Sequence, residues 1–362
     1  MKTRLFPIFF LVLQFLLYAA AVKTIAPKGT DFPAFYSATR LWRQGMNPYD
    51  LEKQCDLQLP IRGVPCLPFA HPPVLLPLVA LVSNDNFISS YHRWLIVLVL
   101  VGLVCVIPLY KLSKDLKRSV QAVLFLPVVL AVAMGQDTLF VMLAVLLWWW
   151  LLVERKDFLA GLALSLAVIK PQLAMLLGLP LLFSRPKAFF GFCLGGFVLL
   201  VFSYTLVGIE GFRGLIQIVQ VMSRGKGFGV NAFAMVSVTG LLVRAGVSPL
   251  WSWLFFALGL VGNALLWRKT KTSLNAVLLG IVIAVFCSPH LHFHDLSLLT
   301  LPVFFLHPLA PALASVVLAY TYVFEWHLLV SYVLLLTIAV MQIQRMRKDT
   351  DQMLEGKPKQ FP

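Results

Sequence analysis

The first carboxylate of the chain, Asp31, stands a few residues after an apolar segment of bilayer length. Polar side chains of the kinds used in group transfer recur later, at the ends of further apolar segments: Arg40, His71, Gln136 with Asp137, Lys170 with Gln172, and His290, His292, His294 and Asp295. A carboxylate can take a proton from an attacking hydroxyl, and lysine, arginine or imidazole can hold an anionic leaving group such as a phosphate. Ionisable groups among membrane helices are functional signals in themselves, because holding them away from water is costly unless a partner is supplied.

Each of these residues also has a plainer reading. Asp31 precedes Pro33 and could simply cap a helix. Arg40 and Arg43 could meet lipid phosphates. His71 could be an ordinary loop histidine, and Gln136 and Asp137 could close a turn. Lys170 resists the snorkelling explanation, since Pro171 and Gln172 set it at a turn between two apolar limbs. It is read as the partner of a phosphate or carboxylate. The alternating histidines would suit a metal on a strand, but the segment joins two helices and no HExxH frame accompanies it, so no metal or other cofactor is expected.

The elements that must position these groups are helices in a membrane. The 362 residues are 60% hydrophobic and 12% charged, with a mean hydropathy of +0.86, which excludes a soluble globular protein. The net charge of +15 sits in short clusters between apolar runs, the pattern of orientation signals rather than of a nucleic-acid surface. The expected fold is an all-α polytopic membrane protein: one transmembrane domain over residues 1–348 and a polar, disordered cytoplasmic tail over 349–362. Leu5 to Val22 reads as an uncleaved first span with its basic end inside, so an outer loop runs from about 23 to 90.

Within that loop Phe32, Phe35, Tyr36, Thr39 and Trp42 fall at helical spacing and predict a helix lying on the membrane surface. Residues 69–82 and 232–245 are apolar but short, and keeping the basic clusters on one side requires that both dip in without crossing. Residues 157–183 must go out and return between two basic clusters. Each limb is about 13 residues, roughly 20 Å of helix, so Lys170 turns below the outer surface. A second surface helix is expected over 209–224, and "GKGFGVN" after it is read as a linker. The total is about 12 spans with both ends inside, and every polar residue singled out above then lies on the outer side. Cys55 and Cys66 share the first outer loop and could form a disulfide there, whereas Cys105, Cys193 and Cys287 lie in apolar runs.

Five blocks in order resemble glycosyltransferase family 87, over about residues 29–305: "GTDFPAFYSATRLWRQGMNPYD", "PFAHPPVLLPLVALV", "GQDTLF", "LAGLALSLAVIKPQLAMLLGLPLL" and "SPHLHFHDLSLL". The resemblance implies a GT-C-like fold and an inverting transfer of mannose or a similar sugar. The donor would be a polyprenyl-phosphate sugar and the acceptor a lipid-linked molecule or a glycan, at the periplasmic side of a bacterial inner membrane. It implies that Asp31 is the general base and that Lys170, Arg40 and His294 meet the donor phosphate. Tyr36, His71, Gln136, Asp137, Gln172, His290, His292 and Asp295 are then expected to bind substrate. Three positions depart from the family pattern: Asp137 replaces an asparagine, His294 a tyrosine and His71 an aromatic residue. A transporter or flippase of lipid-linked sugars is the rival expectation, because a charged cavity among helices suits it too.

Overall fold

Apolar runs broken by Pro, Gly and short basic clusters fold as helices, since only helices satisfy every backbone group away from water. The computed structural model describes residues 12, 15–16, 18–20, 22–23, 30–62, 66–223, 231–270, 273–307, 310–323 and 327–354. These residues are helical or irregular, and none is in a strand. The expected first span lies largely outside them, as does all but Asn231 of the "GKGFGVN" segment.

The outer segment forms α1 (Phe32–Arg43), α2 (Leu51–Arg62) and, after a 3₁₀ turn at Pro73–Leu75, α3 (Leu76–Val82). A long helix follows, α4 (Phe87–Ser113), then α5 (Leu116–Val123) and α6 (Leu126–Met134), bent by 49° to one another. α7 (Thr138–Val153) leads to α8 (Asp157–Ser165), which tightens into a 3₁₀ turn at Leu166–Ile169. Pro171 starts α9 (Pro171–Gly178). α10 (Pro186–Ser223) is broken at Gly208, where φ is 60° and ψ is −170°, so the predicted span and the predicted second surface helix are its two halves. Then come α11 (Val238–Arg244), α12 (Ser252–Thr270), α13 (Leu274–Cys287), a 3₁₀ segment at Phe293–Leu299, α14 (Thr300–Phe304), α15 (Ala310–Val323) and α16 (His327–Leu354).

Among the described residues four helices are long and apolar enough to cross a bilayer alone, and α5 with α6 would make a fifth if the bent pair is one span. The expected count of about 12 exceeds this, because many apolar segments here are helices of 10–17 residues. Small residues bring some of these close together. A Cβ on Gly161 of α8 would lie 1.8 Å from the Ala188 carbonyl oxygen of α10, a contact that only glycine permits.

Helix direction sorts the ends of the bundle. Arg345 near the end of α16 donates to the Leu306 carbonyl at 2.6 Å, and Arg118 at the start of α5 donates to the Phe304 carbonyl. At the other end of α16 the Tyr332 hydroxyl lies 2.9 Å from the Ser237 carbonyl oxygen, beside the polar turns. The basic clusters thus gather at one end, and the Gly135, Lys170 and Pro289 turns at the other.

Two expectations need correction. α1 does not lie on a surface: Phe32 to Thr39 and Leu41 are all buried, because α2, α3 and α4 pack around it. An amphipathic pattern records the apolar stripe but not the small residues Ala34, Ser37 and Ala38, which let neighbours close over the other faces. Residues 349–354, expected to begin a disordered tail, are helical as the end of α16, which continues through Leu354; the rest of that segment lies outside the described residues.

Candidate active site

Asp31 occupies the residue before α1, yet its side chain makes no capping bond. Its backbone instead donates to the Met134 carbonyl at 3.2 Å, the last residue of α6. Gly135 makes this approach possible: its φ of +77° is left-handed, and a Cβ there would meet the Phe32 Cβ at 2.9 Å. Trp94 of α4 stacks on Phe32 with ring centroids 6.2 Å apart and donates to the Gly135 carbonyl at 2.8 Å. The first outer loop and the α6–α7 turn are therefore one packed unit. Asp31 Oδ2 is buried without a hydrogen-bond partner, on the wall of a cavity of about 420 Å³.

Lys170 enters that cavity from the α8–α9 turn. Its extended backbone, φ −120° and ψ 83°, is the conformation that a following proline imposes. Its Nζ lies 2.6 Å from Asp295 Oδ1 and 3.9 Å from Asp137 Oδ1. Asp295 is held on every side: Thr138 donates to its Oδ1 at 2.7 Å, and the His292 amide donates to its Oδ2 at 2.9 Å. His294 Nε2 lies 3.5 Å from Asp295 Oδ1. Lys170 and Asp295 are 8% and 1% exposed, so each needs the other.

Asp137 is fully buried and, like Asp31, makes no capping bond at the helix it precedes. His71 Nδ1 sits 2.7 Å from its Oδ2 at ion-pair distance, although neither carboxylate oxygen has a well-aligned hydrogen bond. The His71 ring packs on Phe35 and Phe69 at centroid distances of 4.7 and 5.5 Å, and Tyr49 donates to its carbonyl at 2.7 Å. Gln172 donates to the His290 carbonyl at 3.2 Å, and Gln136 presents a buried Oε1 without a partner.

The cavity brings together Asp31, His71, Gln136, Lys170, Gln172, His290, His292, His294 and Asp295, with Asp137 just behind the wall. The rest of the lining includes Phe35, Met134, Met175, Val219, Met222, Met235 and Trp253, so the polar groups share the cavity with many apolar side chains. Asp31 interacts electrostatically with Lys170, His292 and His294. Burial and neighbouring positive charge hold His290 well below the ordinary imidazole range and His292 down to about 4, so both are neutral at pH 7.

Two of the expected residues are placed elsewhere. Arg40 pairs with Asp85 at 2.7 Å and reaches the Tyr36 hydroxyl at 3.3 Å, and neither Arg40 nor Tyr36 lines the cavity. Arg43 donates to the Ser83 carbonyl at 2.8 Å and to the Ala80 carbonyl, closing the end of α3 rather than reaching lipid. Thr138 was not expected at the site, although its position directly after the Gly-Gln-Asp turn, at the start of α7, is the available signal. Cys55 and Cys66 are joined as a disulfide. Among the described residues no group of three His, Cys, Asp or Glu side chains is arranged to hold a metal ion.

The model of glycosyltransferase family 87 matches residues 69–289. No curated protein and no solved structure matches the chain.

Proposed function

The chain belongs to glycosyltransferase family 87 and is a glycosyltransferase, and from this premise we propose an inverting sugar transfer from a polyprenyl-phosphate donor, with Asp31 as general base. The observation that carries the reading is the buried, unpartnered Oδ2 of Asp31 on the wall of the cavity that Lys170 and Asp295 also line. The carboxylate accepts the proton of an acceptor hydroxyl as that oxygen bonds to C1 of the sugar. The bond from C1 to the phosphate oxygen breaks on the opposite face, and its electron pair leaves with the polyprenyl phosphate.

The leaving group is anionic and needs positive charge and hydrogen-bond donors more than a full proton. Lys170 and His294 are the donors proposed for it, Lys170 having N–H groups beyond the one that meets Asp295. Gln136, Gln172 and the His290–His292 loop suit sugar or acceptor hydroxyls. Arg40 and Tyr36 would serve from outside, by tying α1 to Asp85. The apolar lining residues Met134, Met175, Val219, Met222 and Trp253 suit an isoprenoid chain.

The basic ends of the helices favour a cytoplasmic location for that end and an extracytoplasmic one for the cavity, in the inner membrane of a bacterium. A GT-C type of architecture, with a catalytic carboxylate in the first outer loop, accords with the buried position of α1. The acceptor would be a lipid-linked molecule or a glycan, and mannose or a similar sugar is the proposed cargo. No observation favours a transporter. Membranes holding the chain should transfer label from at least one of a panel of polyprenyl-phosphate sugars to a product. Transfer from none of them would overturn the reading.

A further inference from the structure

We propose that His71 is a catalytic residue, donating its Nε2–H to the departing phosphate, with Asp137 as the positioning residue that holds the ring. This rests on the transfer reaction proposed above and adds a residue to it.

The geometry comes first. His71 and Asp137 are far apart in the chain, yet they meet at 2.7 Å. With Nδ1 at ion-pair distance from the carboxylate and the ring gripped by Phe35 and Phe69, the other ring nitrogen is the one left to serve the cavity that His71 lines. A carboxylate on Nδ1 places the proton there and sets the orientation of Nε2. Phe35 is one helical turn beyond Asp31, about 6 Å along the helix axis, and both residues line the cavity.

Charge makes the second argument. Asp31 and Asp295 line the cavity and Asp137 lies just behind its wall, against one ammonium, Lys170, which Asp295 already holds at 2.6 Å. With neutral histidines the site carries two surplus negative charges, and a phosphate would enter against both. With His71 protonated the charges resolve into two matched pairs, His71 with Asp137 and Lys170 with Asp295. Asp31 is then the one carboxylate without a counter-charge, as a base should be. The other cavity histidines are poorer cations: His290 and His292 are kept neutral by burial and by neighbouring positive charge, and His294 shares Asp295 with Lys170. Tyr49 meets only the His71 carbonyl.

The test compares wild type, His71→Gln, His71→Ala and Asp137→Asn in detergent with a polyprenyl-phosphate sugar that the wild type uses. His71→Gln should lower kcat by about 100-fold, with donor KM changed less than about threefold. Imidazole added to His71→Ala should restore part of the rate. Asp137→Asn should cost about tenfold in kcat with donor KM changed less than about threefold. It carries the test if the His71 variants fail to fold. A His71→Gln enzyme with wild-type kcat, or a loss confined to KM, would overturn the inference. So would an Asp137→Asn enzyme with wild-type kcat. A wild type that transfers no sugar from any such donor would instead sink the function proposed above.

Discussion

The amide of Asp31 donates to the carbonyl of Met134 at 3.2 Å. Through this bond, a residue that could have been a simple helix cap is tied to the turn that carries Gln136 and Asp137. Its carboxylate is left with a buried oxygen turned to no protein donor. Backbone anchoring and a free side chain are the combination that a base requires, since a capping bond would occupy the lone pair that must take the proton.

That anchoring depends on Gly135. Gly135→Ala should destabilise the protein by about 1–2 kcal/mol from the left-handed φ alone, and further from the 2.9 Å approach to Phe32. Gly45 has a φ of +70° but open space around it, so Gly45→Ala should show only the backbone part. Unfolding midpoints in detergent for the two variants check this. A larger loss of transfer rate in Gly135→Ala is also expected.

The Lys170–Asp295 pair should behave as a buried ion pair. Lys170→Met or Asp295→Leu alone should cost about 3–5 kcal/mol by stranding a charge. The double substitution should cost less than the sum of the two. A double-mutant cycle on unfolding free energies measures the coupling, and full additivity would contradict the pairing.

The disulfide gives a chemical readout. Unfolded without reductant, the chain should titrate three thiols, those of Cys105, Cys193 and Cys287. With reductant it should titrate five. Removing the bond by Cys55→Ser with Cys66→Ser should cost about 2–3 kcal/mol. Because such bonds persist in oxidising compartments, finding it in protein taken from cells under thiol-blocking conditions also supports an outer location for the first loop.

Much of the site was legible because length and basic clusters set which turns share a side. That logic brought Asp31, Gln136, Lys170 and the His290–Asp295 segment to one end of the bundle, where the structure places them around one cavity. Contacts between distant turns were not legible. The His71–Asp137 contact depends on how residues 66–72 lie against the α6–α7 turn, and the Arg40–Asp85 pair takes Arg40 out of the cavity by a route across 45 positions. Helix periodicity found α1 but not its burial, because small residues carry no apolar signal while they admit close neighbours. Span counting depends on length, and short or broken helices such as α5 with α6 defeat it.

The central claim concerns Asp31 and is tested by one substitution. Asp31→Asn keeps the size and the backbone bond to Met134 while removing the basic oxygen, so the protein should fold with an unfolding midpoint within a few degrees of wild type. Transfer from a polyprenyl-phosphate sugar, measured in detergent, should then fall by at least about 100-fold. Transfer at the wild-type rate by folded Asp31→Asn protein would contradict the account.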